Sequence, residues 1–189
     1  AAYGLGRVAV VGHGLGGAIA MTLATHYAEL VTRLALIDPL CYPFPLSWKV
    51  RLLLLPIAGA VLFKQLYGRR RFRSYFVDDV FSPAATVPLA RIDQLYRHFN
   101  TPSARESAYA VLRAAVDTRP VAARITRITQ PTLIMWGRDD RLLPAAFALR
   151  LVREMADARL ELFDTGHSPH EERPQDFVFV ATEFFEGKR

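Results

Sequence analysis

Apolar residues recur along the chain with two different periods, and the alternation between them sets the expected fold. Val8–Val11 is a short β-branched run, the mark of a strand buried on both faces. From Gly16 to Glu29 the spacing is helical, with close packing through Ala18, Ala20 and Ala24. Leu34–Ile37 is a second buried strand, stopped by Asp38-Pro39. Strand, helix and strand in this order make a parallel pair with a right-handed crossover. Before them, Ala1–Arg7 reads as the end of a helix with glycine at its stop.

The pattern changes between Cys41 and Ile128. Pro43, Pro45, Pro56, Pro83, Pro88, Pro102 and Pro120 punctuate helical pieces with arginine-rich faces. Leu89–Phe99 carries Leu89, Ile92, Leu95, Tyr96 and Phe99, and Ser103–Val116 carries Tyr109, Leu112 and Val116, both at helical spacing. Strand character returns at Thr132–Trp136. A helix over Ala145–Met155 follows, opened by Pro144, then a strand over Arg159–Phe163 and an amphipathic helix over Pro174–Glu186. The predicted class is α/β: parallel strands with flanking helices, split by an all-helical insertion. This divides the chain into a core part over residues 1–42, the insertion over 43–128 and a second core part over 129–189.

Composition narrows the picture without changing it. At 189 residues, with 51% hydrophobic and 22% charged residues, the chain has the make-up of an ordinary globular protein. A single cysteine excludes an internal disulfide framework and fits a reducing, cytoplasmic setting. The net charge of +6 is unevenly placed: Lys49–Arg127 holds 14 basic and 5 acidic residues. The run G-R-R-R-F-R at 68–73 lacks interleaved aromatic platforms and reads as a solvated surface, so no nucleic-acid partner is expected. Leu52–Phe63 is apolar but far short of the about 20 residues a bilayer span needs. It reads either as a helix burying its apolar side over a pocket or as a lid that touches lipid, and the first reading is preferred.

Candidate chemistry lies in three loops that follow strands. V-A-V-V-G-H-G-L-G-G is a strand, a sharp glycine turn and a helix, the context of a G-x-S-x-G turn, with Gly14 at the nucleophile position. The loop after Trp136 holds Asp139 and Asp140, and the loop after Phe163 holds His167 and His170. Nucleophile, acid and histidine in that order allow histidine to act as base while the acid orients it. The Leu15 N–H, at the start of a helix, can help hold an oxyanion. His13 is expected to pack or to bond nearby backbone, Cys41 to be a small buried hydrophobe, and Asp38 to form an Asp-Pro turn, with a second role as alternative acid left open. His26, His98 and His170 have no metal-ligand spacing to one another or to Cys41, so neither a metal nor a cofactor is expected.

On these motifs the chain resembles the α/β-hydrolase family over nearly its whole length. V-V-G-H-G-L-G-G is similar to that family's G-H-S-x-G-G, W-G-R-D-D-R-L-L-P to its acid loop, and G-H-S-P-H-E-E-R-P to its terminal histidine loop. The resemblance implies Asp140 as the acid rather than Asp139, and His167 as the base rather than His170. It also implies that the insertion is a cap and that the substrate is a small to medium apolar molecule, an ester or a related compound. Serine or aspartate occupies the position of Gly14 in the family. The chain is thus expected either to hydrolyse weakly or to bind a ligand without turnover. The family's first strands have no counterpart here, so the expectation is a piece of a longer chain, or one completed by a pairing chain.

Overall fold

The computed structural model describes residues 6–187; the helix end expected over Ala1–Arg7 lies largely outside them. Four parallel strands form one sheet in the order β1 (Val8–His13), β2 (Val31–Ile37), β3 (Thr132–Gly137) and β4 (Ala158–Phe163). The chain is an α/β protein. Helix α1 (Leu15–His26) joins β1 to β2. The described residues between β2 and β3 form helices only: α2 (Trp48–Leu53), α3 (Ala58–Leu66), α4 (Arg69–Ser74), α5 (Leu89–Phe99), α6 (Pro102–Ala115), α7 (Arg119–Ala122) and a short 3₁₀ turn. A wider π-helical turn, Tyr75–Val80, continues α4. Helix α8 (Ala146–Glu154) joins β3 to β4, and α9 (Pro169–Glu172) and α10 (Pro174–Phe185) close the chain. No helix of the described residues is long and apolar enough to cross a membrane.

Side chains alternate across the sheet, which gives it two cores. On one face Leu34, Leu36, Ile134 and Trp136 pack with Ala20, Met21 and Ala24 of α1 and Ala148 and Leu151 of α8. The small residues of α1 let its backbone approach the strands, as the alanine spacing predicts. On the other face Ala35, Ile37, Leu133, Met135 and Phe163 pack against Phe177, Val180 and Phe184 of α10. Burial on this scale, at about 25 cal/mol per Å² of apolar surface, is the main force holding the layers together.

One expectation is corrected at β1. Val8–Val11 is not buried on both faces: Ala9 is exposed and Val11 is 55% exposed. Val11 pairs with Ala35 and so points to the α10 face. The α10 cluster contains residues of β2, β3 and β4 and none of β1. Among the described residues β1 pairs only with β2, so it is an edge strand with one face open.

The register brings the carboxyl ends of the strands to one rim. His13 lies beside Ile37, Ile37 beside Met135, and Gly137 beside Phe163. The loops beginning at Gly14, Asp38, Arg138 and Asp164 therefore leave the sheet along the same edge, where parallel sheets place their ligands.

Candidate active site

The turn at Gly14 depends on backbone geometry that side chains resist. Gly14 has φ 53° and ψ −117°, a left-handed conformation that glycine takes freely. Its N–H donates to the Ile37 carbonyl (2.9 Å) and its carbonyl accepts from Leu40 N (2.9 Å), tying the turn to the end of β2. Gly12 fits for a different reason: a Cβ there would run into the Gly16 carbonyl as strand and helix close on each other. A Cβ built on Gly14 meets one atom within 4 Å, His167 Nε2 at 3.4 Å.

His167 is buried and held on three sides. Its backbone N–H donates to the Val80 carbonyl (2.7 Å), the last residue of the π turn, so the helical segment positions the loop directly. Its own carbonyl accepts from His13 Nε2 at 2.7 Å. His167 Nδ1 lies 2.8 Å from Asp140 Oδ2, and the Asp140 side chain is fully buried. With Nδ1–H donating to the carboxylate, Nε2 is the ring nitrogen turned toward Gly14. The other Asp140 oxygen accepts from Leu142 N (2.8 Å) and Leu143 N (2.9 Å), which fixes the carboxylate in its loop. Asp139 is exposed and is not the partner of His167.

His13 bonds backbone, as its place in the turn suggested. Burial, with His167 close by, pushes its pKa down to about 4, so the ring is neutral at neutral pH. His170 is also lowered, chiefly by burial. Cys41 packs in the core beside α1 and α8, and burial pushes its thiol up to about 12, which removes it as a nucleophile.

Asp38 is the residue whose part the sequence understated. It has φ 40° and is fully buried, but its carboxyl does not cap its own turn. Oδ1 accepts from Gly137 N at 2.9 Å, across to the end of the neighbouring strand, and Oδ2 has no hydrogen-bond partner among the described residues. Burial first, and then the neighbouring Asp140 charge, raise its pKa to about 9. The raised pKa favours the protonated form of Asp38 at neutral pH, next to Asp140. The only early hint was an aspartate ending a buried strand. His13, Asp38 and His167 offer ligand-type atoms within 4.8 Å of one another, a grouping the linear spacing does not suggest. In each residue one such atom is engaged, by the His167 carbonyl, Gly137 N and Asp140 respectively.

A mainly apolar cavity of about 270 Å³ begins one residue beyond the turn, lined by Leu15, Ala18, Ile19, Leu40, Ala115 and Val121 among others. It runs along α1 toward α6 and α7, and neither Asp140 nor His167 reaches it.

Residues 1–180 match the model of the alpha/beta hydrolase family. The chain belongs to that family. It is 28% identical over 194 residues to a 2-hydroxy-6-oxo-6-phenylhexa-2,4-dienoate hydrolase of Comamonas testosteroni, covering 97% of this chain and 64% of that protein. It is 26% identical over 185 residues to a 2-hydroxy-6-oxononadienedioate/2-hydroxy-6-oxononatrienedioate hydrolase of a Pseudomonas species, covering 96% and 64%. The chain thus spans about 64% of the length of these relatives. Among solved structures, the meta-cleavage product hydrolase of Pseudomonas fluorescens superimposes with a TM-score of 0.81 at 22% identity, over 100% of this chain and 68% of that one.

Proposed function

We propose that the rim around Gly14 is a hydrolytic site in which His167, oriented by Asp140, acts as general base on an apolar carbonyl substrate. The observation that carries the reading is the pair of distances at one imidazole: Nδ1 2.8 Å from Asp140, and Nε2 3.4 Å from where a side chain at position 14 would begin. With glycine at position 14, no side chain stands in front of Nε2, and the nucleophile in this reading is a water molecule drawn from solvent. His167 takes its proton, the hydroxide oxygen attacks the carbonyl carbon, and the tetrahedral oxyanion is met by Leu15 N–H. That N–H is at the first position of α1, where a helix leaves its donors without internal partners. Collapse expels the leaving group, which recovers the proton from His167. The substrate class is a carboxylic ester or a ketone cleaved at a carbon–carbon bond. The second is supported by the names of the two dienoate and dienedioate hydrolases above. Such a pathway lacks a covalent intermediate and runs slowly.

A second reading, ligand binding without turnover, is favoured by one observation, the absence of any side chain at Gly14. The variant His167→Ala separates them. In the hydrolytic reading it removes the general base and with it about 10²–10⁴-fold of the rate toward a 4-nitrophenyl ester or a dienoate substrate. Turnover that is absent from the parent chain, together with ligand affinity unchanged in His167→Ala, assigns the site to binding.

A further inference from the structure

The helical segment carries a surface that the chemistry above does not use. Helices α2 and α3 form a hairpin whose inner side is fixed to α6. Tyr109 Oη donates to the Leu53 carbonyl (3.1 Å), and Arg105 Nη1 donates to the Lys64 carbonyl (2.8 Å). What the hairpin leaves outside is apolar. Trp48 is 72% exposed, Ile57 83% and Leu66 61%, and Leu52, Leu55 and Val61 are exposed with them. No residue of α2 is buried, and Gly59 is the only buried residue of α3. Trp48 and Leu52, four residues apart on α2, lie on one side of that helix. At the tip, Ile57 holds φ 60°, a conformation that costs a β-branched residue on the order of 1–3 kcal/mol. The strain presents an aliphatic side chain to solvent.

Charge distinguishes this face from a generic apolar patch. From Trp48 to Val77 the chain has seven basic residues and no acidic one. Lys64 pairs with Glu106, and Arg69 and Arg73 pair with Asp93. Lys49, Arg51, Arg70 and Arg71 are exposed, and no carboxylate pairs with them among the described residues. A tryptophan and aliphatic groups flanked by uncompensated cations is the composition that settles at a lipid headgroup boundary. A second copy of the same face would set like charges against each other.

We propose that the α2–α3 hairpin is a docking surface for an anionic lipid bilayer, with Trp48, Ile57 and Leu66 entering the interface and Lys49 and Arg51 of α2 lying over the headgroups. The helices lie on the membrane and do not span it. This takes up the lipid-touching reading of the 52–63 run in place of the pocket-covering one, and it is independent of the proposed reaction.

The test is flotation with vesicles of phosphatidylcholine alone or mixed with phosphatidylglycerol, read alongside tryptophan emission. Trp136 is fully buried, so an emission shift reports Trp48. The expected result is co-flotation with the anionic vesicles, a blue shift absent from Trp48→Phe, and loss of binding in high salt. The double variant Lys49→Gln/Arg51→Gln should bind about 30-fold more weakly, at roughly fivefold for each cation removed. Ile57→Ser should also weaken binding, while circular dichroism shows both variants folded. No flotation with any vesicle, or flotation indifferent to the double variant, overturns the proposal. Lipid-free self-association that buries Trp48 assigns the face to a second copy and overturns it equally.

Discussion

Gly14→Ser puts a hydroxyl at the position where the rim geometry converges, and its cost and effect can both be worked from the structure. The backbone at φ 53°, ψ −117° lies where a residue with a side chain is strained by about 1–3 kcal/mol. Among the described residues the new Cβ meets only His167 Nε2, at the ordinary contact distance of 3.4 Å, so crowding adds little to that strain. For a chain of this length each kcal/mol moves the midpoint by roughly 2–4 °C, so Tm should fall by about 2–12 °C. Gly14→Ala carries the same strain without the hydroxyl and should melt within a few degrees of the serine variant. The serine Oγ, one bond beyond Cβ, can come within about 3 Å of Nε2, the reach of a general base. Stopped-flow with 4-nitrophenyl butyrate should then show a burst of 4-nitrophenol from the serine variant alone. Its rate should exceed the parent's by at least about 10²-fold. A serine variant as stable as the parent refutes the strain argument. A folded serine variant with no more activity than Gly14→Ala refutes the placement of the base.

Two further outcomes concern buried titratable groups. Asp38 keeps in the folded state a proton that the unfolded chain releases above the ordinary carboxyl value of 3.8. Its contribution is therefore complete at low pH and declines as pH rises toward about 9, by up to about 1.4 kcal/mol per pH unit. Asp38→Asn, an isostere of the protonated acid, should lack this slope in urea melts taken at several pH values. A stability difference between parent and variant that is flat over this range contradicts the assignment of the proton. His13 works in the opposite direction: folding holds it neutral with a pKa near about 4, while the unfolded chain takes up a proton below 6.5. Stability should fall between pH 6.5 and about 4, and His13→Gln, which can still donate to the His167 carbonyl, should lose less over that interval.

The α/β layout was legible in the sequence because buried parallel strands and amphipathic helices differ in period. Thr132–Trp136 and Leu34–Ile37 could hardly be anything but central strands, and all their apolar residues are buried. The same rule misplaced Val11, since an unbroken β-branched run does not reveal whether a helix covers its outer face. The loop order brought two aspartates and two histidines to one rim, the family resemblance implied Asp140 and His167 among them, and the side chains of those two meet at 2.8 Å. Asp38 was read as a turn former because its partner, Gly137 N, is 99 positions away, and nothing local in the sequence announces that bond. The α2–α3 hairpin was illegible for a related reason. An apolar run looks the same whether it is folded inward or, as at Trp48 and Ile57, left facing out.

The central claim is that Gly14, His167 and Asp140 together form the frame of a nucleophilic site. Intact-mass analysis of Gly14→Ser after exposure to a fluorophosphonate tests it most directly, because phosphonylation requires a hydroxyl activated by the adjacent imidazole. The expected result is a single adduct located at residue 14, lost when His167→Ala is added and absent from the parent chain. A folded Gly14→Ser protein that stays unmodified, or one labelled equally well without His167, contradicts the claim.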